Sequence, residues 1–207
     1  MRRISLIAGI ALLAFVWGWP LPHFAGHSFT SHMIMHMSVV ALAAPLLAMG
    51  LVGSRLDPTA RFPMLFAALP ASLLEFVVVW GWHAPGPHEF ARTNISGLVL
   101  EQGSFLAAGL ILWISCIGVS GRSVRNASGV LGLLFTSMHM TLLGALLALA
   151  PRPLYGHAMN HAHAFGLSAL EDQTLGGIVM LAVGGAVYLL GGLILMAWLL
   201  KEPPAPN

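Results

Sequence analysis

A chain of 207 residues with 57% hydrophobic and 8% charged residues and a mean hydropathy of +0.85 is not a water-soluble domain, which carries about 25% Asp, Glu, Lys and Arg. The formal charge of +2 is small and scattered, which argues against nucleic acid as a partner, and the single cysteine, Cys116, excludes a disulfide framework or a Cys-rich zinc site. The outlier is histidine, ten residues against nine Lys and Arg and seven Asp and Glu, in a chain whose main solvent is lipid.

A helix crosses the hydrocarbon with about 20 residues. Six apolar stretches are long enough to span: residues 4–19, 33–52, 62–82, 98–119, 127–150 and 175–200. Their apolar runs are continuous, not alternating, which excludes barrel strands, and helices pair every backbone group within their own segment. The predicted fold is all-α, a polytopic bundle of six transmembrane helices forming one domain over residues 1–207.

The first stretch follows Arg2 and Arg3, as a signal peptide would. It ends on Trp19 without a small-x-small cleavage site, so it reads as an uncleaved first helix. The second opens with His32-Met33-Ile34-Met35-His36-Met37. His32 and His36, at i and i+4, project from one face and can share one metal. Met33 and Met37 repeat that spacing about 100° round the helix. Imidazole with thioether suits copper, Cu(I) in particular. The plain alternative is methionine filling space in an apolar helix.

The third stretch carries Glu75, eight residues before His83 and so about 12 Å below the outer boundary. It closes on Trp82-His83-Ala84-Pro85, with His88 in the loop beyond. The fourth opens with Glu101-Gln102. The fifth carries Met138-His139-Met140, with His139 about 18 Å inside the outer end. An ionisable residue at that depth usually faces a partner, and Glu75 is the candidate. A loop with His157, His161 and His163 follows, of the kind that collects metal. The sixth opens with Glu171-Asp172-Gln173, where acid complements the helix dipole, although Asp172, Glu101, His32 and His36 can also converge at one depth. Gly177, Gly184 and Gly191 recur every seven residues along it, a stripe that lets a neighbouring backbone approach.

Arg2, Arg3, Arg55, Arg61, Arg122, Arg125 and Lys201 fall on one side of these stretches, Arg92 and Arg152 on the other. By the positive-inside rule both termini are cytoplasmic. His36 and His139 then lie inside the membrane and the other histidines at or beyond its outer boundary, periplasmic in a Gram-negative cell. A phosphate loop, a Ser-His-Asp order and a His-Glu-x-x-His motif are all absent from the sequence, so hydrolytic chemistry has no support.

Several of these segments together resemble the caa3-type CtaG family of cytochrome c oxidase assembly factors. They are His32-Met33-x-x-His36-Met37 with Ala43-Ala44-Pro45-Leu46-Leu47, Trp82-His83-x-Pro85, His139 with Gly144 and Pro153-Leu154-Tyr155, and Asp172-Gln173-x-x-Gly176-Gly177-x-x-Met180. The resemblance spreads over helices two to six. It implies a multi-pass protein of the bacterial plasma membrane, the inner membrane if Gram-negative. Such a protein is not an enzyme and assists copper-centre maturation in a haem-copper oxidase. Metal positions carried over are His32, His36, His83, His139 and Asp172. The residue reading adds Met33, Met37, Glu75, Glu101, Met138 and Met140 as auxiliary groups. Implied partners are the oxidase subunits and a periplasmic copper chaperone, besides the lipid bilayer. Members of the family it resembles often have Glu-His where this chain has Glu101-Gln102, which removes an imidazole from that helix end.

Two other readings use the same residues. A b-type cytochrome would hold haem b between His36 and His139, although their depths differ by about 12 Å. A copper transporter would use Glu75 and His139 as an intramembrane relay, although the inner halves of the helices are almost wholly apolar.

Overall fold

The computed structural model describes residues 1–18, 20–59, 61–62, 66–118, 122–155 and 166–201; the predicted collecting histidines His157, His161 and His163 lie outside these residues. Among the described residues the regular structure is entirely helical: α1 (Arg2–Trp17), α2 (Leu21–Ala25), α3 (Phe29–Met37), a π-helical segment (Ser38–Ala43), α4 (Ala44–Leu51), α5 (Ala68–His83), α6 (Pro85–Thr93), α7 (Ile95–Ile117), α8 (Arg122–Ala148) and α9 (Ala169–Lys201). Four helical runs among the described residues are long and apolar enough to cross a membrane: Phe29–Leu51, Ile95–Ile117, Ala127–Ala148 and Ala169–Lys201. The predicted spans 4–19 and 62–82 correspond to α1 and α5, 16 residues each, short of the about 20 that a full crossing takes.

The outside of this bundle is apolar. Leu131, Met138 and Leu142 of α8 and Ile178, Leu190 and Leu193 of α9 are exposed, while His32, His36, Glu75 and Glu101 are fully buried. That inversion of the water-soluble pattern is what a lipid solvent selects, and the chain is a membrane protein.

Helix starts depart from the hydropathy boundaries because polar caps, not apolar runs, fix them. Ser28 caps α3, its hydroxyl accepting from the Ser31 amide at 3.2 Å, so α3 begins four residues before the predicted 33. At α9, Ser168 and Glu171 form a capping box. The Ser168 amide donates to Glu171 Oε2 at 2.8 Å, and the Glu171 amide donates back to the Ser168 hydroxyl at 3.3 Å.

The π-helical segment sits directly before Pro45, which has no amide hydrogen and whose ring crowds the carbonyl four residues back. Widening the turn relieves that clash. The freed Val40 carbonyl accepts instead from Trp113 Nε1 at 3.1 Å and from the Tyr188 hydroxyl at 3.2 Å, so three helices are tied at one buried point.

The predicted glycine stripe is a packing surface. A Cβ on Gly177 would stand 2.6 Å from the Ala148 amide nitrogen and 2.8 Å from the Gly144 carbonyl oxygen; one on Gly144 would stand 2.8 Å from the Gly177 carbonyl oxygen. The α8 and α9 backbones therefore touch, as small residues permit in membrane bundles. Gly177→Val forces them apart and is expected to cost about 1–3 kcal/mol, read as a lowered melting temperature in detergent; an unchanged melting temperature contradicts the contact.

Candidate metal centre

The start of α3, the end of α5, α6 and the start of α7 meet at one end of the bundle, and each delivers a polar side chain. The i, i+4 spacing of His32 and His36 brings both to one face of α3, their rings 6.4 Å apart and nearly parallel. His83, in the last turn of α5, lies 5.9 Å from the His32 ring and 5.3 Å from the His36 ring, centre to centre. His88 of α6 lies 5.1 Å from His32. All four imidazoles are buried, and Phe105 of α7 closes the inner side, its ring 4.0 Å from that of His36.

The Nδ1 of His83 donates to the Val79 carbonyl at 2.6 Å. That bond fixes the tautomer and leaves Nε2 as the lone-pair nitrogen, as hydrogen bonds behind metal-ligating histidines do. Among the described residues, Nε2 of His83 makes no hydrogen bond, nor do Nδ1 and Nε2 of His32 and His36. Buried polar atoms without partners are costly and call for an ion or water to meet them.

Glu101, at the α7 start, carries the negative charge of the site. Its Oε2 is paired with the Arg92 guanidinium, accepts from Gln102 Nε2 at 3.2 Å and lies 3.7 Å from His32 Nδ1. His32, His88 and Glu101 each offer a ligand atom within 4.8 Å of the others. Gln102 accepts from Trp17 Nε1 at 3.2 Å and ties α1 to this end. Burial pulls the Arg92 guanidinium below its ordinary pKa, and the Glu101 carboxylate beside it pulls the other way.

Tyr155 covers the cluster. Its ring stacks on Phe29 at 4.9 Å and lies 4.1 Å from that of His88, while its hydroxyl donates to the His83 carbonyl at 3.0 Å. Burial pushes its phenol pKa up. Beside it a cavity of about 30 Å³ is lined by Ser28, Phe29, His88, Arg92 and Tyr155 among others, room enough to admit water.

The sequence-predicted ligands divide. His32, His36 and His83 come together, and Glu101 joins them. The Asp172 carboxylate caps α3. Oδ2 accepts from the Phe29 amide at 2.6 Å, and Oδ1 accepts from the Thr30 amide at 3.1 Å and the Ser28 hydroxyl at 2.9 Å. A charged acceptor at a helix N-terminus meets its orphan donors and its dipole. His139 lies apart, its ring against Phe76 and Phe135 at 5.3 and 5.5 Å. Among the described residues no ring contact joins it to His36 and no ion pair joins it to Glu75; Glu75 instead accepts from the Tyr188 hydroxyl at 2.7 Å. Met33 and Met37 lie on the side of α3 that meets α9, Met140 is buried near them, and Met138 is 70% exposed on the outer surface.

Sequence reasoning left His88 in a loop. The signal was Pro85, which suits the first turn of a helix, followed by His88, Ala91 and Arg92 at helical spacing; α6 buries His88 and Ala91.

No curated protein and no solved structure matches the chain. The model of the cytochrome c oxidase caa3 assembly factor family (Caa3_CtaG) matches residues 1–202. The chain, a helical membrane protein with imidazoles and a carboxylate gathered at one end, belongs to this family of cytochrome c oxidase assembly factors.

Proposed function

We propose that this assembly factor carries copper as cargo, received at the outer face of a bacterial plasma membrane, held by His32, His36, His83 and His88 beside Glu101, and passed to an apo-oxidase. The observation that carries this reading is the set of buried ring nitrogens on His32, His36 and His83 that make no hydrogen bond among the described residues. Neutral imidazoles suit copper, and the single carboxylate is already balanced by Arg92. Both termini face the cytoplasm and six helices line the membrane, α1 and α5 completing the set. Support comes from the nine basic residues, seven on one side, and from the Arg2 guanidinium, which donates to the Gly53 carbonyl at 2.7 Å at the end of the bundle remote from the cluster. A periplasmic copper chaperone is the donor and the oxidase subunits are the acceptors.

The test is the copper content of oxidase purified from cells whose assembly factor carries His36→Ala. The expected result is oxidase depleted of copper, with the variant present in the membrane at normal abundance. Fully metallated oxidase from those cells overturns the reading. The purified factor is also expected to show no Soret band; a band that shifts on dithionite would assign the imidazoles to haem.

A pH dependence follows from the ligand type. Imidazole binds metal only when neutral and free imidazole protonates near pH 6.5, so protons compete with copper. Copper affinity is expected to fall as pH is lowered from about 7 toward about 4, measured by chelator competition at a series of pH values. Affinity that is flat over that whole range excludes imidazole ligation.

A further inference from the structure

About 100° round the same helix lies a second set of copper-compatible atoms. Phe29, Met33 and Met37 form one stripe of α3, and Gly176, Met180 and Gly184 form one stripe of α9, each at i, i+4, i+8. The two stripes pack on each other. A Cβ on Gly176 would stand 3.1 Å from Met33 Cγ; one on Gly184 would stand 3.5 Å from Met37 Sδ and 3.2 Å from Met140 Cβ. Met180 lies between those glycines, about 6 Å along the axis from each. Met33, Met37, Met140 and Met180 are at most 2% exposed, so three helices deliver four thioethers to one buried seam.

We propose that Met33, Met37, Met140 and Met180 form a second, thioether subsite for Cu(I), separate from the imidazole cluster and joined to it through α3. Packing alone does not account for the choice. Leucine fills similar volume while losing less side-chain entropy on burial, and methionine specifies a packed core poorly. The glycines on α9 withhold side chains where the methionines of α3 and α8 pack, and Met37 Sδ lies 3.5 Å from where a Gly184 Cβ would stand. Thioether is a soft ligand that selects Cu(I), whereas the imidazole cluster accepts either oxidation state. Copper entering at the imidazoles as Cu(I) passes to the thioethers by ligand exchange, with no change in oxidation state.

This inference rests on copper being the cargo, and its test separates the two. The full chain, purified in detergent, is titrated anaerobically with Cu(I) against a chromophoric Cu(I) chelator. The wild type is expected to hold about two equivalents. The triple variant Met37→Leu, Met140→Leu, Met180→Leu and the double variant His32→Ala, His36→Ala are each expected to hold about one. Equal uptake by the triple variant and the wild type overturns the thioether subsite and leaves the imidazole reading intact; no uptake by the wild type overturns both. Leucine is close enough in volume to methionine for the variant to fold. As a check without substitution, selenium-edge X-ray absorption of selenomethionine-labelled, Cu(I)-loaded chain is expected to show a copper neighbour. Absence of that neighbour also overturns the subsite.

Discussion

Asp172→Ala is expected to lower stability by at least about 3 kcal/mol, because it strips a charged acceptor from buried donors at the start of α3. The Phe29 and Thr30 amides and the Ser28 hydroxyl all donate to this one carboxylate. The loss falls on the turn that carries His32, so the imidazole face of α3 is disordered along with its cap. Asp172→Asn keeps one acceptor oxygen and is expected to recover part of the stability. The measurement is thermal unfolding in detergent alongside copper uptake. A capping role predicts that Asp172→Asn binds copper with normal stoichiometry; a variant that is fully stable yet binds none would make Asp172 a ligand after all.

The second large effect concerns Arg92 and Glu101, a buried pair with side chains 5% and 0% exposed. Removing one partner leaves an uncompensated buried charge, which costs about 3–5 kcal/mol, whereas replacing both with apolar residues is close to neutral. Arg92→Leu is therefore expected to destabilise the protein severely, and Arg92→Leu with Glu101→Leu to recover most of the loss. Copper should narrow the deficit of the single variant, since a cation held by His32 and His88 takes the guanidinium's place beside Glu101. A double-mutant cycle with and without copper reads both effects. Equal deficits with and without the metal would show that the site does not place copper near Glu101.

The parts of the site carried by local periodicity were legible in the sequence. His32 and His36 share a face because four residues advance just over one full turn. The Gly177 stripe marked a helix contact for the same reason, and the acids opening α9 marked its first turn. Rotational phase was not legible. α8 is apolar almost all round, so nothing in its pattern says which neighbour His139 faces, and the structure turns it to Phe76 and Phe135. Asp172 was visible as a first-turn acid, but its use as the cap of a different helix depends on how α3 and α9 meet. His88 required recognising that Pro85 starts a helix and does not merely punctuate a loop. Methionines 33 and 37 were grouped with the histidines by proximity in sequence, yet 100° of helical rotation (about one residue's advance) sends them to another interface.

Continuous-wave electron paramagnetic resonance of the purified chain loaded with Cu(II) tests the central claim most directly, since imidazole binds Cu(II) while thioether favours Cu(I). The account predicts about one tightly bound Cu(II) per chain with hyperfine coupling to imidazole nitrogen, abolished in His32→Ala with His36→Ala. A spectrum without nitrogen coupling, or one unchanged in the double variant, would contradict it.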